Sequence, residues 1–269
     1  MKFFRYKEDR IPAACIIGLL FLDILVFIYA ANVYQLSLWL LCVIVFKVCI
    51  CSWNHHHQHL PTFMQPLLNR LLEMVYAFHT GITTNAWVLH HVLGHHVNYL
   101  DQKKDESAWK RPDGTKMGVL EYTLTIAITG YLRAYKVGKK HPRYQKSFIS
   151  MGLSIFFILC VLTYLKPVNA LFVFIMPMVF GYVVTCWHTY SHHAGLDTDN
   201  HFEASHNILN HWYNVFTGNL GYHTAHHIKP GLHWSKLPEY HAQIAHKIPA
   251  NLYSEAFIPF KWMSRDRQI

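Results

Sequence analysis

The chain has 269 residues, 52% of them hydrophobic and only 14% charged, with a formal net charge of +9. Soluble domains carry about 25% charged residues, so this composition excludes a disordered chain and argues against an ordinary soluble enzyme. The 22 histidines nearly equal the 24 Lys+Arg and outnumber the 15 Asp+Glu. Packing of an apolar chain does not need them, so metal binding is the first expectation.

A bilayer span needs about 20 predominantly apolar residues, and four stretches qualify. The first, residues 11–31, follows Lys2, Arg5, Lys7 and Arg10 and contains one acid, Asp23. It is too long for a signal peptide, and no small-x-small cleavage site leads into a polar mature chain, so it reads as a retained span. The second, residues 36–53, contains one base, Lys47. The short linker 32–35 makes the pair a tight hairpin.

The second span runs into Ser52-Trp53-Asn54-His55-His56-His57-Gln58-His59-Leu60-Pro61. A helix continued to the proline puts His55 and His59 four apart on one face, the spacing by which two imidazoles of a helical HExxH motif reach one metal. His56 and His57 point elsewhere and read as interfacial or supporting residues. Pro66–Thr80 then places Leu67, Leu68, Leu71, Leu72, Val75 and Tyr76 at helical spacing, which reads as an interfacial helix lying under the membrane, with a soluble capping helix as the alternative.

The next cluster is His90-His91-Val92-Leu93-Gly94-His95-His96. His91 and His95 repeat the four-residue spacing, and His96 adds a neighbour. Asp101, Asp105 and Glu106 follow closely. They read either as acids that orient histidine N–H groups or as a solvated charged loop. Residues 117–137 form a second apolar stretch, with Arg133 and Lys136 near its end, again read as interfacial.

The third and fourth spans, residues 148–165 and 169–187, are joined by 166–168 into a second hairpin. The fourth ends in Trp187-His188-Thr189-Tyr190-Ser191-His192-His193, and a last cluster, Gly221-Tyr222-His223-Thr224-Ala225-His226-His227, lies downstream. The cysteines Cys15, Cys42, Cys49, Cys51, Cys160 and Cys186 form no CxxC pair, so neither a disulfide framework nor a thiolate zinc site is expected.

With four spans, the N-terminus, the 54–147 loop and the tail share one side. That side holds 22 of the 24 Lys+Arg and all 22 histidines, which predicts a cytoplasmic location. The positive charge then reflects topology and attraction to anionic headgroups, not nucleic acid binding. Four histidine clusters offer at least nine candidate ligands, more than one metal uses, so two metals are implied. Imidazole with few carboxylates suits zinc, copper or iron rather than magnesium or calcium.

The order HxxxH, HxxxHH, a box after the fourth span, and HxxHH resembles the membrane fatty acid desaturase superfamily, relatives of the membrane alkane hydroxylases. The resemblance rests on His91-x-x-Gly94-His95-His96, on Tyr190-Ser191-His192-His193-Ala194-Gly195-Leu196, and on Gly221-Tyr222-His223-x-x-His226-His227 leading to Trp234-x-x-Leu237-Pro238-x-x-His241. It implies an all-α membrane protein, a single domain over 1–269, whose four transmembrane helices in two hairpins carry a cytoplasmic helical cap with the histidine boxes. It also implies a non-haem di-iron centre (two Fe2+) on His55, His59, His91, His95, His96, His193, His223, His226 and His227. His192 or His188 is the alternative for the single box, and His56 or His57 for the first.

The implied reaction is O2-dependent desaturation of a fatty acyl lipid. Hydroxylation, or oxidative decarboxylation to a terminal alkene, is the alternative outcome of the same centre. No electron-transfer domain is fused in these residues, so a separate ferredoxin, rubredoxin or cytochrome with its reductase is expected. A metal transporter or non-catalytic metal-binding membrane protein is the rival from another class. Transporters place ionisable ligands at mid-membrane, where the spans hold only Asp23 and Lys47 and no histidine.

Overall fold

The computed structural model describes residues 2–256. Among the described residues, four helices are long and apolar enough to cross a membrane. They are α1 (Arg10–Tyr29), α2 (Val33–His59), α6 (Pro142–Leu165) and α7 (Pro167–His193). Between the hairpins lie α3 (Pro66–Thr80), α4 (Thr84–Trp87), which runs on into a π-helix over Val88–His96, and α5 (Val119–Gly138). Three short helices follow α7: α8 (His211–Thr217), α9 (His223–Ile228) and α10 (Leu237–Ile244). Two-residue strands at Asn207–Ile208 and Tyr253–Ser254 pair in parallel. The fold is all-α and fits an integral membrane protein.

The hairpin turns are shorter than the apolar runs suggest, because polar and proline residues set the helix starts. The Asn32 side chain accepts the Gln35 N–H at 3.0 Å, capping α2. Pro167 opens α7 at its first position, where its missing N–H costs nothing. At the other ends the helices outrun the spans expected from composition: α2 continues to His59, α6 begins at Pro142 and α7 continues to His193. Apolar residues stay exposed on the outer faces, for example Phe21, Leu41, Phe156 and Val179, as lipid contact requires.

Two expectations are corrected here. The α3 helix does not stay outside the four spans. Its last turn enters the bundle, where Ala77 and Phe78 share one buried cluster with Phe27 of α1, Leu36 of α2, Met151 and Ile155 of α6, and Phe174 of α7. The amphipathic pattern was sound, but the face it buries is against the spans. With it goes His79, so a histidine does lie among the spans: its Nε2 is 3.0 Å from the Ile16 carbonyl and its Nδ1 3.5 Å from Asp23.

Asp23 and Lys47 face each other across α1 and α2, both fully buried, with Lys47 Nζ donating to Asp23 Oδ2 at 2.7 Å. Trp39 Nε1 donates to the other Asp23 oxygen at 2.9 Å, and Lys47 also donates to the Val173 carbonyl at 3.0 Å. Val173 sits in a π-turn of α7, Leu171–Ile175, where an irregular backbone leaves a carbonyl open to a side chain. Charges inside a bilayer are tolerated when paired in this way.

After α3 the chain reverses at Gly81, whose φ is +68°. A Cβ there would also lie 2.3 Å from the Met178 carbonyl, so only glycine fits. This reversal carries the chain from mid-bundle back to the end of α2, which positions the second histidine cluster over the first.

A candidate metal centre built from four histidine clusters

Each cluster is positioned by a helix end. His55 and His59 occupy the last turn of α2, and His193 is the last residue of α7. His223, His226 and His227 make up half of the short helix α9. His91, His95 and His96 lie on the π-helix, and this changes the expected pairing. The i→i+5 bonding of a π-helix puts more residues in each turn, so residues five apart share a face. His91 therefore pairs with His96, their Nε2 atoms 3.0 Å apart, and not with His95. Gly94, within this turn, lets Glu106 approach: a Cβ there would lie 2.6 Å from the Glu106 side chain.

Two groups result. His55, His59, His91, His96 and His226 form one, and His95, His193 and His227 the other. Within each, the ligand atoms lie within 4.8 Å of one another. In the first group the Nε2–Nε2 separations are 2.9 Å for His55–His226, 3.1 Å for His55–His91 and 3.1 Å for His96–His226. In the second, His95 and His193 are 3.3 Å apart. His223 adjoins it, 3.1 Å from His193 and 3.2 Å from His227. The groups abut: the rings of His96 and His227 stack at 4.2 Å.

All nine histidines singled out in the sequence thus converge. The His55/His59 pairing is as the four-residue spacing predicts. The three imidazoles of α9 divide between the groups: His226 lies with His55, His59, His91 and His96, while His223 and His227 lie with His95 and His193.

The remaining cluster histidines face other partners. His56 Nε2 is 3.1 Å from the Thr217 carbonyl, and His57 Nδ1 is 2.9 Å from Thr62 Oγ1. His188 Nε2 meets the Tyr213 hydroxyl at 2.8 Å, and His192 stacks on His223 at 3.8 Å. Neither belongs to a group, so His193 alone of its box does.

Nitrogens aimed at one another at about 3 Å are poor hydrogen-bond pairs in such numbers, because each neutral imidazole has one N–H. They suit a metal. Two nitrogens bound at about 2.1 Å and at right angles lie about 3.0 Å apart. His59 Nε2 is buried and has no hydrogen-bond partner. The donor set therefore fits two ions that accept imidazole.

Supporting contacts fix which nitrogen faces inward. His95 Nδ1 is 2.8 Å from Asp105 Oδ1, and both side chains are almost fully buried. His193 Nδ1 donates to the Ala204 carbonyl at 2.9 Å. Both leave Nε2 free. Of the three acids noted in the sequence, Asp105 takes this place. Asp101 is a surface partner of Lys104, and Glu106 packs against Gly94. Burial first, then the neighbouring imidazoles, holds His91, His96, His223, His226 and His227 well below the ordinary histidine pKa, so these rings are neutral, the ligand form.

A largely apolar cavity reaches this centre between α5 and α7. Ile82, Trp87, Ile126, Tyr131 and Tyr182 line it together with His90 and His91. Sequence periodicity gave no sign of it. Gly130 and Ile126 on α5 only become cavity residues because α5 packs across α7.

A family model described as "Fatty acid desaturase" matches residues 31–258. Comparison with curated proteins and with solved structures found no match.

Proposed function

The chain belongs to the fatty acid desaturase family, and from that premise we propose that it catalyses O2-dependent desaturation of a fatty acyl chain at two irons. Membership makes it an oxidoreductase acting on fatty acyl lipid in a membrane. The observation that carries the finer reading is the convergence of nine imidazoles into two abutting groups at one end of the spans. His55, His59, His91, His96 and His226 would hold one iron. His95, His193, His223 and His227 would hold the other. The bound pair supplies the oxidising power that breaking an unactivated C–H bond demands and that side chains lack.

The protein's own residues bind, orient and exclude water. Trp87, Ile126, Tyr131 and Tyr182 would hold the acyl chain with one methylene pair beside His91. Asp105 keeps His95 turned inward. The overall reaction is R–CH2–CH2–R′ + O2 + 2e− + 2H+ → R–CH=CH–R′ + 2H2O, with the electrons from a separate donor protein. On this reading the single domain spans the whole chain. Both termini and the metal centre face the cytoplasm, as the side holding 22 of 24 Lys+Arg should.

The test is expression in a host, followed by mass spectrometry of its lipids, then assay of the purified protein with a ferredoxin-type and a cytochrome-type reductase system. A new double bond supports the proposal. A hydroxylated chain or a terminal alkene would replace desaturation by one of its relatives. An unchanged lipid profile with zinc in place of iron would overturn it.

A further inference from the structure

The corner joining α5 to α6 carries a charge pattern that the metal centre does not use. Lys136, Lys139, Lys140, Arg143 and Lys146 fall within eleven residues, all exposed. No acidic residue occurs in the sequence between Glu121 and Asp197. None of the five makes an ion pair among the described residues. Glu73 pairs with Arg70 at 2.6 Å, and half-buried Glu106 attracts Arg133, Lys136 and Lys140 without forming an ion pair with any of them. The corner is also stiff. Lys140 N–H donates to the Val137 carbonyl and His141 N–H to that of Gly138, and Pro142 starts α6 at once.

The outer face of α5 leads into this corner. Leu120, Leu124, Ile128 and Leu132, spaced four apart, are 69%, 48%, 79% and 55% exposed, while the opposite face packs on α7 and walls the apolar cavity. An apolar stripe ending in cations, at the foot of a span, is the build of a helix lying in a membrane surface. Four to eight Lys/Arg beside a span attract lipid phosphates. We infer that the α5–α6 corner is a binding site for anionic phospholipid headgroups, with Leu120–Leu132 in the acyl layer and Lys136, Lys139, Lys140, Arg143 and Lys146 on the phosphates. A soluble acidic protein would find the cations but have no use for the stripe that leads to them.

The site is tested on the full chain in neutral detergent, by titrating phosphatidylglycerol or phosphatidylcholine and counting bound lipid by native mass spectrometry. The protein should retain phosphatidylglycerol in preference. Substituting all five cations by Gln should weaken retention at least tenfold, since each cation near an anionic surface contributes about fivefold. Lys103→Gln with Lys104→Gln, on a loop elsewhere, should change nothing. Should the five-fold variant not fold, the pair Lys139→Gln and Lys140→Gln with the native chain in high salt gives the same reading, because screening is strong there. Equal retention of both lipids, or retention untouched by the substitutions and by salt, overturns the inference. So does an acidic electron carrier that binds this corner and is not displaced by phosphatidylglycerol.

Discussion

Asp105 gives the sharpest perturbation of the proposed centre, because it touches one group of histidines and not the other. Its Oδ1 lies 2.8 Å from His95 Nδ1 and accepts the Ser107 backbone N–H at 2.7 Å. In Asp105→Asn the shape is kept and the charge lost, so the His95 N–H faces a weaker acceptor and the ring is less firmly held. Removing such a supporting carboxylate costs typically 10- to 100-fold in metal affinity, or about 1.4 to 2.8 kcal/mol. Among the described residues no carboxylate bonds a histidine of the first group, so its ion should be untouched. The assay is iron retained per chain against a rising concentration of chelator. The native chain should release both ions at high chelator, and the variant should release one of them at 10- to 100-fold less. Equal weakening of both ions, or no weakening, would refute the assignment of His95 to a separate second site.

The remaining predictions concern the bundle and its protonation. Asp23→Asn or Lys47→Met alone leaves a buried charge without its partner and should cost about 3 to 5 kcal/mol. The double variant should recover most of this, less the Trp39 N–H and Val173 carbonyl contacts that Asp23 and Lys47 satisfied; detergent melting curves of the cycle check it, and additive losses would deny the coupling. His56→Ala, which removes one bond to Thr217, should lower stability by about 1 to 3 kcal/mol and keep both irons; loss of iron would place His56 in the centre. In the metal-free chain, the rings held below their ordinary pKa are neutral when folded but take up protons when unfolded. Their stability contribution is therefore complete above about pH 6.5 and falls as pH drops below it, by up to about 1.4 kcal/mol per pH unit for each ring. Melting temperatures across pH 7.5 to 5 should fall on the acid side, whereas a flat profile would show the rings protonated in the fold.

Helix content, hairpin pairing and the histidine set were legible because they rest on apolar run length and on residue type. The i, i+4 spacing places His55 and His59 in one group, on regular α-helix, but His91 and His95 in different groups, because nothing in VLHHVLGHH announces a π-helix. Propensity acts on single residues, and the single-residue preferences of this stretch do not separate a π-turn from an α-turn. The depth of α3 was hidden for a similar reason. An amphipathic stripe states that one face is buried, not against what, and Phe78 and His79 look alike whether they meet headgroups or Phe174 and Asp23. Asp105 stood out from Asp101 and Glu106 only once the loop fold brought it to His95.

The most direct test of the account is metal analysis of the purified chain alongside His226→Ala and His227→Ala. The native protein should hold two irons. His226→Ala should lose the ion of the His55–His59–His91–His96 group, and His227→Ala the ion of the His95–His193 group, with each variant still in the membrane. A single tightly bound zinc, or loss of the same one ion in both variants, would contradict it.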